Sequence, residues 1–166
     1  MPDTEISHGA SLITGITVHN EQMYVAGQPV ESVSIKQALT GFTEFLGKFE
    51  KVILVGHNFL SFDGPVLYKA VEKAGLNDQF WEKVVGIMDS LNVFKDVLTD
   101  RKSYKLQDLV RDVLQRDYEA HNAVRDTVVL KDLMYRVSSK DAKLKHSITI
   151  ESFLKKASIK FQKKKI

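Results

Sequence analysis

Lys51-Val52-Ile53-Leu54-Val55-Gly56 runs straight into His57-Asn58-Phe59-Leu60-Ser61-Phe62-Asp63, and this stretch decides the fold. Its first six residues are apolar without alternation, as in a parallel strand buried on both faces. A helix over 64–74 follows, with Pro65 tolerated in its first turn and Gly75 as its stop. Upstream, 35–49 is an amphipathic helix with Leu39, Phe42, Phe45, Leu46 and Phe49 on one stripe and Ser34 as its cap. Downstream, Val84-Val85-Gly86-Ile87-Met88 is a second strand, ending on Asp89-Ser90. Strand, helix, strand, helix predicts an α/β fold with parallel strands at 51–56 and 84–88 and helices on their flanks.

Further helices are predicted over 91–98, 106–114 and 121–135. Residues 1–34 are irregular, with a small hairpin joining 16–18 to 23–25 around Asn20. The polar stretch 136–147 reads as a linker. A last amphipathic helix over 148–161 gathers Phe153, Leu154, Ala157 and Phe161 on one side, and packing on the domain is its simplest role. The chain therefore divides into a domain over 1–136 and a segment over 137–166 made of linker, helix and lysine-rich tail.

Composition excludes several classes. Cys is absent, which removes disulfide, zinc-thiolate and cysteine-nucleophile chemistry and suits a reducing, intracellular setting, nuclear or cytoplasmic. No run has the length of a membrane span or the pattern of a signal peptide, so no membrane partner is expected. The net charge of +3 comes from the end of the chain: residues 155–166 hold six lysines and no acid. Without them, 18 Lys and Arg face 21 Asp and Glu, a net of −3. Such a tail is a solvated end or a contact for nucleic acid.

Two aspartates stand where a site belongs. In open α/β sheets, ligands gather beyond the carboxyl ends of the strands, and Asp63 begins the helix just past one such end. It serves there either as a helix cap or as a ligand-binding carboxylate. His121-Asn122-Ala123-Val124-Arg125-Asp126 places a second acid five residues behind a histidine. Five helical residues turn about 500°, so the two side chains share a face only if His121 lies in the loop before the helix. Asp126 would then point inward among Ala123, Val129, Leu130 and Leu133, where a buried acid wants a cation. The alternative is an exposed acid paired with Arg125 or Lys131.

These clusters resemble the second and third metal-site motifs of the DEDDh (DnaQ/TREX-like) 3′–5′ exonucleases. His57, Asn58, Phe62, Asp63, Pro65 and Leu67 are similar to the second motif of TREX-like members, and His121, Ala123 and Asp126 to the third. Asp89-Ser90-Leu91, Ser103-Tyr104-x-Leu106 and Ala10-x-x-Ile13-Thr14-Gly15-Ile16-Thr17 also look like family positions. The exonuclease-like C-terminal region of promyelocytic leukaemia proteins belongs to the same subgroup. The resemblance covers about residues 6–135. It implies a ribonuclease-H-like fold acting on a DNA or RNA 3′ end, with carboxylates holding two Mg²⁺ or Mn²⁺ ions about 3.5–4 Å apart. It makes Asp63 and Asp126 metal ligands, His121 the general base, and His57 and Asn58 substrate contacts.

The first motif of that family is an Asp-x-Glu on a central strand. Asp3-Thr4-Glu5 has the spacing, but only Met1 and Pro2 precede it, and proline suits a central strand poorly. The chain thus reads as a ribonuclease-H-like domain that is N-terminally truncated, lacking its first three strands. The strand at 51–56 would then present an open edge for a protein partner or for self-association. The functional expectation is a nucleic-acid-directed exonuclease-fold domain whose catalytic set is incomplete. The rival is a non-catalytic nucleic-acid-binding or protein-interaction module on the same fold.

Overall fold

The computed structural model describes residues 6–118, 120 and 122–162. Ser7 caps α1 (His8–Thr14) by accepting from Ala10 N, and Gly15, at φ 69°, ends it in the left-handed region. An antiparallel meander follows: β1 (Ile16–His19), β2 (Gln22–Val25) and β3 (Gln28–Val30). The expected hairpin is there, turning through Asn20 and Glu21 at φ 47° and 61°, the paired positive values that a two-residue hairpin turn demands. It gains a third strand, with Pro29 on the outer edge, where its missing N–H breaks no ladder bond.

Ser34 and Gln37 form a reciprocal capping box at the start of α2 (Ile35–Leu46). The helix ends three residues before the apolar stripe does, at Gly47. Phe45 and Phe49, counted in that stripe, stay about half exposed, while Leu39 and Leu46 are buried. β4 (Val52–Gly56) leads through a loop to α3 (Asp63–Ala74), which stops at Gly75 with φ 70°. α4 (Asn77–Trp81) precedes β5 (Val84–Asp89) and α5 (Ser90–Val97). The helix predicted over 106–114 starts as α6 (Leu106–Leu109) and widens into a π-helical segment, Val110–Leu114. α7 is Ala123–Val137.

The polar stretch read as a linker is folded. α8 (Lys140–Lys145) is capped by Ser139 and buries Ala142, and β6 (Ser147–Thr149) pairs antiparallel with β5. A helix of six residues that buries one small side chain leaves almost no apolar period to detect. α9 (Ile150–Gln162) then lays Phe153 and Ala157 into the core, as its stripe suggested.

The central sheet has the order β4-β5-β6, with β4 and β5 parallel and Leu54 opposite Ile87. Helices cover both faces. On one, α2, α3, α4 and α9 gather Leu39, Leu46, Val71, Phe80, Trp81 and Phe153 around Ile87. On the other, α5, α6, α7 and α8 gather Val93, Phe94, Leu109, Leu133 and Ala142 around Met88. This is the expected α/β layering. No described residue pairs with the second edge of β4, and Ile53 and Val55 are 42% and 43% exposed beside it.

Phe59 fixes the loop after β4. Its ring lies so close to Gly56 that a Cβ there would stand 2.6 Å from Phe59 Cδ2; a Cβ on Gly64 would stand 2.9 Å from the Phe59 carbonyl oxygen and 3.0 Å from Phe153. Burying such a ring is worth about 1.5–3 kcal/mol. Because backbone cannot yield as a side chain does, Gly64→Ala should cost about 1–3 kcal/mol. Urea unfolding will check this as a lower midpoint at an unchanged slope.

Candidate functional site

Parallel pairing puts the carboxyl ends of β4 and β5 at one edge of the sheet, where Gly56 and Asp89 are register partners. Just past that edge lies an open cleft of about 1150 Å³ lined by His57, Asn58, Phe62, Tyr104, Tyr118 and Asp126, with Ala10 and Ile13 of α1 on its wall. That is where an open α/β sheet holds its ligands.

The imidazole of His57 is pinned on both sides. Nε2 lies 2.8 Å from the Tyr104 carbonyl oxygen and Nδ1 lies 3.0 Å from Ser90 Oγ. A carbonyl only accepts, so Nε2 carries the proton and Nδ1 accepts from the Ser90 hydroxyl; the tautomer is assigned from these partners. With both nitrogens engaged inside the protein, the ring faces the cleft without a free polar atom. Asn58 sits at φ 59°, a left-handed conformation that asparagine tolerates, and also lines the cleft.

Asp63 is the first residue of α3 and is exposed. The cap position is held by Phe62, with no side-chain cap bond, so Asp63 is not the helix cap that its place in the sequence allowed. Phe62 lines the cleft; Asp63, one residue further on, is not among the lining residues. Asp126 is. It occupies the first turn of α7, whose cap Asn122 accepts from Arg125 N at 3.1 Å. Asp126 is half-buried, not on the exposed face of that helix. Tyr118 hydrogen-bonds its carboxylate; burial first, then that bond and the neighbouring charge, push the Tyr118 hydroxyl up to about 12. Asp126 Oδ1 is buried with no hydrogen-bond partner among the described residues. An orphaned buried carboxylate oxygen is costly unless a donor or cation reaches it.

His121 lies outside the described residues, as does Asp3-Thr4-Glu5. Among the described residues, no three His, Asp or Glu side chains gather as a metal-holding group. The orphaned Asp126 oxygen fits a cation, but the described donors do not by themselves complete a Mg²⁺ or Mn²⁺ site.

The model of one protein family, described as exonuclease, matches residues 3–134, most of the chain. This chain belongs to that exonuclease family. Its α/β body is accordingly a ribonuclease-H-like fold, and the family in general acts on nucleic acid with divalent metal ions. No curated protein matches this chain. No helix among the described residues is long and apolar enough to cross a membrane.

Two groups at the site were given no function by the sequence: Asp89, noted there only as a family-like position closing its strand, and Tyr118, which was not singled out. Asp89, 3% exposed, accepts hydrogen bonds from three backbone N–H groups around the loop. Tyr118 hydrogen-bonds the Asp126 carboxylate. A lone acid closing an apolar strand was the available signal for Asp89; nothing local marked Tyr118.

Burial holds the His57 pKa below the ordinary histidine value, against the smaller opposing pulls of the Tyr104 carbonyl and the Asp89 charge. The unfolded chain therefore takes up a proton at His57 more readily than the folded one, and stability should fall as pH drops below about 6.5. Urea midpoints at pH 7.5 and 5.5 should differ more in the wild type than in His57→Gln. Equal differences in both proteins would refute the neutral, pinned imidazole.

Proposed function

We propose that this exonuclease-family chain is nucleic-acid-directed, receiving a 3′ end of DNA or RNA in the cleft beyond β4 and β5. We further propose that its hydrolytic centre is incomplete in the chain as it stands. The observation that carries the first part is Asp126, a cleft-lining acid with one buried oxygen that has no partner among the described residues. In this reading Asp63 and Asp126 are the carboxylates that would hold Mg²⁺ or Mn²⁺. His121 is the general base, and the nucleotide meets Asn58 and the His57 ring. A bound cation would neutralise phosphate charge and lower the pKa of a coordinated water. Two carboxylates are a sparse set for Mg²⁺, which dehydrates reluctantly and demands near-octahedral oxygen ligation.

End-labelled single strands of DNA and RNA, with and without Mn²⁺, test both parts. Binding of strands with a free 3′ hydroxyl is expected, with little or no mononucleotide release over hours. Any metal-dependent release should vanish in Asp126→Asn. Failure of both nucleic acids to bind would overturn the nucleic-acid reading. Release within minutes, lost in Asp126→Asn, would overturn the incompleteness.

A second reading, a non-catalytic interaction module, is favoured by the edge of β4 that no described residue pairs with, where Ile53 and Val55 are exposed. Such an edge is a template for another strand, from a second copy or a protein partner. It predicts nucleic-acid or partner binding indifferent to Asp63→Ala and His121→Ala, and strong loss on either change would count against it. It also predicts that light scattering detects concentration-dependent association that Ile53→Lys reduces. A wild-type monomer throughout would dispose of the self-association.

A further inference from the structure

We propose that Asp89 is a positioning residue for the candidate site, holding the 57–63 loop in the one conformation that serves the cleft. Asp89 and Ser90 are the buried polar residues among the described ones, at 3% and 0% exposure, and they are consecutive. Both are turned to the same task. Ser90 Oγ holds His57, the first residue of the loop, at 3.0 Å. Asp89 Oδ1 accepts from Asn58 N at 2.8 Å and from Leu91 N at 3.1 Å, and its Oδ2 accepts from Leu60 N at 3.1 Å.

The bond to Leu91 is an ordinary helix cap for α5, and a single oxygen on Ser, Thr or Asn would supply it. The other two bonds go to the loop. They need a side chain that accepts at both oxygens and donates at neither, which among the uncharged cap residues none can do. Burying a carboxylate is costly unless its oxygens are satisfied. Here the satisfaction comes from backbone groups of the loop itself, so the loop conformation and the acid stabilise each other.

The loop needs such a hold. Asn58 is in the left-handed region at φ 59°, and its N–H is the one that Asp89 takes at the shortest distance. Phe59, between Asn58 and Leu60, is seated against Gly56 and Gly64. Leu60 is only three residues from Asp63, and Phe62 between them lines the cleft. A displacement at 58–60 therefore reaches both the lining of the cleft and the Asp63 carboxylate. A misplacement of about 1 Å at reacting groups lowers rate on the order of 100-fold.

The proposal deepens the nucleic-acid reading, and its binding arm rests on that reading; its exchange arm does not. Amide hydrogen exchange on the full chain, for wild type, Asp89→Asn and Asp89→Ala, is the deciding measurement. In Asp89→Asn the amide group turns a donor toward Leu60 N–H or loses the Asn58 bond. The amides of Asn58 and Leu60 should then exchange at least about tenfold faster, while interior amides of β5 and α7 stay within about twofold. Affinity for a single strand with a free 3′ hydroxyl should fall about tenfold alongside. If metal-dependent release is observed in the wild type, kcat should fall and KM should rise in step with the lost affinity.

Unchanged exchange at Asn58 and Leu60 would overturn the proposal. So would a uniform rise along the chain, which marks general destabilisation. Selective loosening with undiminished affinity and rate would reduce Asp89 to a loop clamp and overturn its functional role. A wild type that binds neither DNA nor RNA would sink the nucleic-acid reading, and the exchange pattern alone would then decide for or against Asp89.

Discussion

The pairing of Gly56 with Asp89, at the carboxyl ends of two parallel strands, is the constraint from which the site takes its geometry. Parallel strands end on the same side, so the chain must leave both at one edge and turn into helices there. β4 passes into the loop of His57 and Asn58, and β5 passes into the first turn of α5. Asp89 ties the two exits together through backbone hydrogen bonds, and His57 reaches from one exit to Ser90 on the other. Glycine at 56 lets the Phe59 ring fold back against the strand end, which turns the chain toward α3.

Two partly or fully buried acids at this edge are treated in opposite ways. Asp89 has both oxygens met by N–H donors and is the most enclosed charged residue described. Asp126 has Tyr118 on its carboxylate and one oxygen with no partner among the described residues. A satisfied buried acid organises the structure around it; an unsatisfied one is a place where something else belongs. In the proposed reading, the contrast separates an acid that shapes the loop from one available to a ligand.

The sheet is protected unevenly. β5 lies between β4 and β6, with helices over both faces, and carries the most buried run among the described strands. β4 alternates partly buried with exposed residues, because Val52 and Leu54 face the α2 and α3 layer while Ile53 and Val55 face away. Its continuous apolar sequence is that of a strand meant to be covered on both faces. The exposed half of that pattern, beside an edge without a strand among the described residues, is what gives the interaction reading its physical footing.

By itself the sequence determined what rests on local chemistry. The capping box of Ser34 and Gln37, the glycine stop at 75, the apolar runs at 52–56 and 84–88 and the hairpin turn at Asn20 are all decided by residues close in the chain. The two Asp-bearing clusters stood out in the sequence by their resemblance to family motifs, while their spacing alone left a capping or an exposed acid open. Tertiary structure decided which groups meet. It pinned both nitrogens of His57 to residues 33 and 47 positions away, brought Asp126 into the cleft but left Asp63 one residue outside its lining, and turned a polar stretch into α8 and β6. It also chose Asp89 as the buried anchor of a loop about thirty residues earlier in the chain. Contacts over such separations depend on how strands register and layers stack, and no short-range pattern in a chain encodes that register.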